Sequence, residues 1–140
     1  MAEFTAVAEQ TVPENRTVIY NEVAVGGNCS ILHREGSGIV TLRGLTNQCR
    51  ARFKVSFGAN IAIPTDGTVE EISLAVAIDG EPLGASTMII TPAAVEEYQN
   101  VYASAFIDVP RGCCVLISVD NTSTQNILVQ NANLIVERTA

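Results

Sequence analysis

Residues 70–91 read EEISLAVAIDGEPLGASTMIIT, and the fold of the chain is decided there. Ile72, Leu74, Val76 and Ile78 recur at every second position, the period of a strand whose successive side chains point to opposite faces. Ser73, Ala75 and Ala77 occupy the alternate positions. Asp79-Gly80 then ends the run with a strong hairpin signal, because both residue types accept positive φ at little steric cost. A strand that faces water alternates with Lys, Glu or Thr, whereas these alternate residues are too small to shield the stripe. Either a second copy of the chain packs on that face, or the strand is buried on both faces inside one subunit. The first reading makes Ser73, Ala75 and Ala77 interface residues.

The longest clean alternation is RARFKVSFGANIAI at 50–63. Phe53, Val55, Phe57, Ala59 and Ile61 face one way; Arg52, Lys54, Ser56, Gly58 and Asn60 face the other. Pro64 to Gly67 turns the chain from that strand into the hairpin. Further strands are expected at 16–25, with Val18, Tyr20 and Val23 inward, and at 29–34, 39–43, 101–109, 113–119 and 127–138. Gly26-Gly27-Asn28, Gly36 to Gly38, Pro110 to Gly112 and the polar run from Asp120 to Asn126 punctuate them. PAAVEEYQN at 92–100 is the one stretch suited to a helical turn, and it serves equally as a connection. Residues 1–15 read as an arm, weakly alternating at Phe4, Ala6 and Ala8, that adds an edge strand or reaches to a neighbour. Residues 16–140 form the single domain. About ten short strands, with turn signals every 8 to 12 residues or so and no convincing helix, predict an antiparallel sandwich or barrel. Even spacing and the absence of Trp favour a jelly roll over an immunoglobulin-type sandwich.

Apolar residues make up 47% of the 140, and charged residues only 16%, against roughly 25% in ordinary soluble domains. So little charge, with no apolar run near the roughly 18 residues of a membrane span, points to surface hidden in an oligomer. The first residues lack the basic and apolar segments of a signal peptide. With a net charge of −7 the overall field repels nucleic acid, and no membrane partner is expected. Arg50, Arg52 and Lys54 would share one strand face, as an exposed face or a salt-bridge set. Cys29, Cys49, Cys113 and Cys114 have no CxxC spacing, so buried free thiols are expected rather than zinc ligands; a Cys29–Cys49 bridge stays open.

Catalytic groupings are missing. His33 is the lone histidine and reads as a surface or interface residue, and there is no GxSxG elbow or phosphate loop. Glu70-Glu71 and Glu96-Glu97 are adjacent pairs, whose members point to opposite faces on a strand. Asp120 and Asn121 offer oxygens for calcium, which needs several at one point. No enzyme, cofactor or metal site is expected. The C-terminal run ILVQNANLIVE, 127–137, is more informative. Gln130, Asn131 and Asn133 interrupt an apolar strand, and buried amides need hydrogen-bond partners that a neighbouring subunit can supply. These three join the expected interface; the other reading is a solvent-facing edge strand.

From His33 onward, REGSGIVTLRG, NQCRARFKVSFGANIAIPTDGTV, ISLAVAIDGEPL, STMIITPAAVEEY, DVPRGCC and NTSTQNILVQNANLIVER resemble small proteins encoded among phage and prophage structural genes. PRGCC and QNANLIV are the most specific parts. The chain is similar, more distantly, to C-terminal domains of bacterial collagen-like surface and spore-coat proteins. That resemblance implies a tumour-necrosis-factor-like jelly roll of about ten strands, related to the complement-type globular head and assembled as a homotrimer, but carries no activity by itself. Those proteins precede the domain with Gly-X-Y repeats, and this chain, beginning at Met1, has none. The expectation is a free-standing, non-enzymatic virion component, a capsid decoration or head-fibre protein whose partners are itself and capsid or tail proteins. The alternative is a receptor- or glycan-binding module on a fibre tip or on a bacterial or spore surface, with Tyr98 and Tyr102 as its aromatic candidates.

Overall fold

The alternating run at 50–63 becomes β6 (Arg50–Ala62), the strand around which the computed structural model is built. The described residues are 2–26, 30–33, 36–45, 49–112 and 114–139. Among them the other strands are β1 (Ala2–Ala6), β2 (Gln10–Val12), β3 (Glu22–Val25), β4 (Ile31–His33) and β5 (Val40–Arg43). After β6 come β7 (Ile72–Ile78), β8 (Glu81–Pro82), β9 (Met88–Ile90), β10 (Gln99–Pro110), β11 (Cys114–Asn121) and β12 (Ile127–Arg138), with a short 3₁₀ turn at Gly84–Ser86.

They form two antiparallel sheets. Sheet 1 runs β10-β6-β12-β1-β3, with β2 also on β12; sheet 2 runs β4-β5-β11-β7-β8, with β9 also on β7. From β3 onward the chain passes repeatedly from one sheet to the other, so that β6, β10 and β12 lie in sheet 1 while β5, β7 and β11 lie in sheet 2. This is an antiparallel jelly-roll sandwich, the expected architecture. The core between the sheets takes Phe53, Val55, Phe57 and Ile61 from β6, Ile72, Leu74 and Val76 from β7, Ile117 and Val119 from β11, and Leu134 and Val136 from β12. In each of these four strands the set lies on one face, at even spacings, so that face is apolar by sequence and is buried by packing.

Asp79 (φ 51°) and Gly80 (φ 86°) make the hairpin between β7 and β8, with Ile78 opposite Glu81, as their residue types required. Gly44 matters for space: a Cβ there would lie 2.1 Å from the Pro110 carbonyl oxygen, where the turns after β5 and β10 cross. The stretch 92–98 is a connection without a helix.

Two expectations are corrected. Residues 1–15 are not a separate arm: β1 lies inside sheet 1 between β12 and β3, with Ala2, Phe4 and Ala6 in the core. Its partner β12 is at the far end of the sequence, so a short, weakly alternating run gains an interior position from a pairing that local pattern does not encode. In the expected strand 16–25, Val18 and Tyr20 are buried but Val23 is exposed. Residues 16–18 instead hydrogen-bond along β11 (Val18 N to Val119 O, 2.9 Å), and the chain then leaves the core to form β3 at the sheet edge.

Phe4→Ala should therefore cost about 3–5 kcal/mol, the usual range for a fully buried Phe. Urea melts of the two proteins measure it; an unchanged midpoint would mean that the first strand is dispensable.

Candidate functional site

The six residues expected at an interface fall on opposite sheets. Ser73, Ala75 and Ala77 lie on β7 in sheet 2; Gln130, Asn131 and Asn133 lie on β12 in sheet 1. Ala75 and Ala77 have no exposed surface within a single chain. The Ala77 methyl sits between Ser118 on β11 and Pro82 on β8, and Ala75 lies opposite Asp120. This is the pattern of a strand covered on both faces by its own chain, so these two alanines have no area to give a partner. Ser73 is half-buried, its hydroxyl 2.6 Å from that of Thr122.

The outer face of sheet 1 differs. Register across its strands places five rows of outward side chains. The first is Asn100–Asn60–Gln130, the second Tyr102–Gly58–Asn133–Thr5–Glu22, and the third Ser104–Ser56–Ile135–Glu3–Val25. The fourth is Phe106–Lys54–Glu137, and the last pairs Asp108 with Arg52. Glycine and serine fill the middle, so relief is low. Tyr102 and Phe106, on the edge strand β10, are 63% and 64% exposed. The Tyr102 ring lies beside Gly58, where an added methyl would meet it at an ordinary 3.7 Å. Hydrogen bonds with Ser56 and Ser104, helped by the Lys54 charge, hold its phenol below the usual tyrosine range.

Two of the three amides expected to need a neighbour, Asn131 and Asn133, find partners at home. Asn131 takes positive φ (55°) at a bulge in β12, and its Oδ1 accepts from Asn60 Nδ2 at 3.3 Å. Asn60 Oδ1 in turn accepts from Asn100 Nδ2 at 3.2 Å, and Asn133 donates to the Glu3 carboxylate. An amide ladder thus crosses β10, β6 and β12. Above it Tyr98 donates to Glu9; burial first, then the Glu9 and Glu96 carboxylates, pushes its phenol up. At the other end Asp108 receives Arg52 (2.8 and 3.2 Å) and lies 3.6 Å from Arg50, so part of the basic cluster is a salt-bridge set. Arg52 holds the Asp108 carboxyl below the ordinary range.

The remaining candidates disperse. His33 is half-buried, its Nε2 2.8 Å from the Ser37 carbonyl and its ring packed on Phe4 at 4.4 Å, so it is a packing residue. Asn121 is fully buried and donates to the Val12 and Gln125 carbonyls, both at 2.9 Å, while Asp120 accepts from Ser118 on the opposite face of β11. They cannot share a cation, and no group of three or more His, Cys, Asp or Glu converges among the described residues. Glu70 does not face Glu71 across a site; it accepts from Thr124 and Gln125. Cys49 is an exposed free thiol and Cys114 is exposed too, contrary to the buried setting expected, because both lie where strands begin at one end of the sandwich. Cys29 and Cys113 lie outside the described residues, as do Gly27 and Asn28 of the expected turn.

What sequence reasoning missed is Phe106. Its signal was present: within 101–109, Tyr102 and Phe106 alternate with Val101, Ile107 and Val109, which marks them as the outward set.

No family model matches the sequence, and no curated protein matches it. Solved structures do match in shape. The chain is similar to Eiger TNF from S. frugiperda, with TM-score 0.72 and 11% identity over 99% of this chain and 91% of that one. It is similar to the globular domain of zebrafish complement 1qA protein, with TM-score 0.64 and 10% identity over 96% and 94%. It also matches murine APRIL, with TM-score 0.58 and 12% identity over 95% and 97%. At these identities the likeness establishes a tumour-necrosis-factor-like, complement-head-like jelly roll and nothing finer.

One electrostatic consequence can be measured. Burial raises the Asp120 carboxyl above its ordinary value, opposed by the Ser118 hydrogen bond. The folded chain therefore disfavours the ionised form: stability from this group is full below the unfolded value near 3.9 and is lost as pH rises through the folded one. Asp120→Asn should be more stable than the parent at pH 7, with the gap closing below about pH 4. Denaturant melts at pH 3 and 7 test this; equal gaps at both would show that Asp120 is not desolvated.

Proposed function

We propose that the chain is a non-enzymatic structural protomer that assembles as a homotrimer through the outer face of sheet 1, and that the trimer is a building block of a phage particle, as capsid decoration or head fibre. The observation that carries the assembly is the pair Tyr102 and Phe106, about two-thirds exposed in mid-strand on a flat face of glycine, serine and amides. Aromatic side chains are enriched at interfaces because they remove 150–250 Å² each from water, or thereabouts, for little rotamer entropy. They also stand on β10, a sheet edge of 12 residues whose interior has neither the lysine nor the proline that commonly blunts such edges. The low charge of the whole chain supports the same reading. The particle role rests on the sequence resemblance.

A glycan-binding role has less support. It calls for exposed aromatic rings near loop tips, whereas Tyr98 is tied to Glu9 and Tyr102 lies mid-strand. At one loop end, a depression of about 270 Å³ lined by Pro64, Asp66, Gly67, Thr68, Gln125 and Asn126 has its amide engaged: Gln125 bonds both Thr68 N and Thr68 O, at 2.9 and 2.7 Å.

Light scattering of the purified protein should give three times the chain mass of 14.9 kDa. Phe106→Glu and Tyr102→Glu should keep the fold, since both side chains are exposed in one chain, and shift the protein to monomer by about 2 kcal/mol or more per contact, the scale of an interface hot spot. A parent that is monomeric at micromolar concentration would end the assembly reading. Cryo-electron microscopy of the cognate particle, with no density for the chain, would end the particle role.

A further inference from the structure

We infer that the chain stacks end on end: the arginine-bearing end of the sandwich docks a second copy of the chain through that copy's opposite, carboxylate-bearing end. This contact lies outside the face that carries Tyr102 and goes beyond the assembly proposed above. β5 finishes at Arg43, β6 starts at Arg50, β10 gives way to Arg111 and β12 finishes at Arg138. Hydrogen bonds hold these strand ends together. Arg111 N donates to the Cys49 carbonyl and Gly112 N to the Gly44 carbonyl, both at 3.1 Å, and the Arg138 guanidinium donates to the Leu45 carbonyl at 2.9 Å. Four guanidinium groups thus gather at one end. The connections β3–β4, β5–β6 and β10–β11 belong to that end, and their sequence contains no Asp or Glu. Along β10 and β12 the first carboxylates inward are Asp108 and Glu137, and Asp108 is shared by Arg50 and Arg52. Leu45, 42% exposed, adds an apolar spot.

The other end, where β2, β6 and β11 finish and β7, β10 and β12 start, is the reverse. Its turns are tied together by hydrogen bonds from Thr65 to Glu96, from Thr124 to Glu70 and from Glu96 N to the Ile63 carbonyl. Glu14, Asp66, Glu70, Glu71, Glu96 and Glu97 stand on these turns, and Glu9 joins them through Tyr98. All but the half-buried Glu70 are exposed. Segments 7–15, 63–71, 91–98 and 122–126 hold no Lys or Arg, and Arg16 is the cation that follows the first of them. These seven carboxylates equal the formal net charge of −7, since without them eight acidic residues face eight Lys and Arg. Val69, 51% exposed, is the apolar counterpart of Leu45.

Within one chain the two sets cannot offset each other. β6 alone, 13 residues long, spans roughly 40 Å. That is several times the distance of about 8 Å over which exposed charges are felt at physiological salt. A second copy displaced along the strand axis brings guanidinium groups onto carboxylates, with Leu45 and Val69 as the apolar parts of the contact. Complementary surfaces at opposite ends repeat without closing, so the product is a stack and not a ring.

Sedimentation velocity at about 20 mM and about 500 mM salt tests this. At the lower salt the parent should form species heavier than its high-salt unit, and at the higher salt it should return to that unit. Arg111→Glu and Glu97→Arg, both at exposed positions in turns, should each weaken stacking about tenfold or more at low salt and leave the high-salt unit unchanged. Glu97→Arg is the sharper of the two: it lowers the net negative charge, so bulk repulsion alone would have it associate more strongly. One mass at both salts, or variants that stack as well as the parent or better, would overturn the end-to-end contact. Retention of the parent on immobilised heparin without stacking at low salt would also overturn it and assign the arginine end to an anionic polymer. The high-salt mass reports the three-chain assembly separately, so the two readings fail independently.

Discussion

The cross-strand register that binds β10, β6 and β12 is the constraint on which everything else depends. β6 pairs with β10 from Arg50 to Ile61 and over most of its length with β12, and a shift of one residue on any of the three would turn its apolar set outward. Phe53, Val55, Phe57 and Ile61 hold β6 in place from below, since all four are fully buried. The same register composes the opposite face. Because Phe57 points in, Gly58 points out, and because Gly58 is opposite Tyr102, the ring has a flat floor. Core and candidate interface are two sides of one alternation.

That coupling explains which parts could be read in advance. β6 and β7 were legible because their alternation is long and their bulky residues are large enough to decide a face. Asp79-Gly80 was legible because its chemistry admits few alternatives. β1 was not, since Ala2, Phe4 and Ala6 become core only through pairing with residues 132–136, more than a hundred positions away. Val23 failed for a related reason: it follows the inward set of Val18 and Tyr20, but the chain has crossed to the sheet margin by then and the core has ended.

The face itself was half legible. Arg52, Lys54, Ser56, Gly58 and Asn60 were assigned to one side of β6, and they lie there. The alanines of β7 show why small residues are ambiguous: the pattern that invites another layer also arises when cross-strand neighbours such as Ser118 and Pro82 shade a methyl group. The amides of β12 are ambiguous in another way. Sequence says that they need partners, but not from where, and here Asn60 supplies one to Asn131 and Glu3 one to Asn133. A ladder satisfied within one chain fixes the bulge at Asn131 and stiffens the surface beside Tyr102, which lowers the entropy to be lost when that surface is covered.

On the assembly reading, weak contacts suffice. Joining three bodies sacrifices translational and rotational freedom twice, yet a closed ring makes three contacts, so the third comes without that cost. Covering an aromatic ring and its aliphatic neighbours is worth roughly 1.5–3 kcal/mol per fully buried side chain. A face with only two exposed rings can therefore hold a ring of three where it would hold a pair poorly. The sparse charge of the chain, 16% of its residues, fits the same balance. Each unpaired ion placed at a contact must lose water, and a face rich in unpaired charge would lose to desolvation what the aromatic rings contribute.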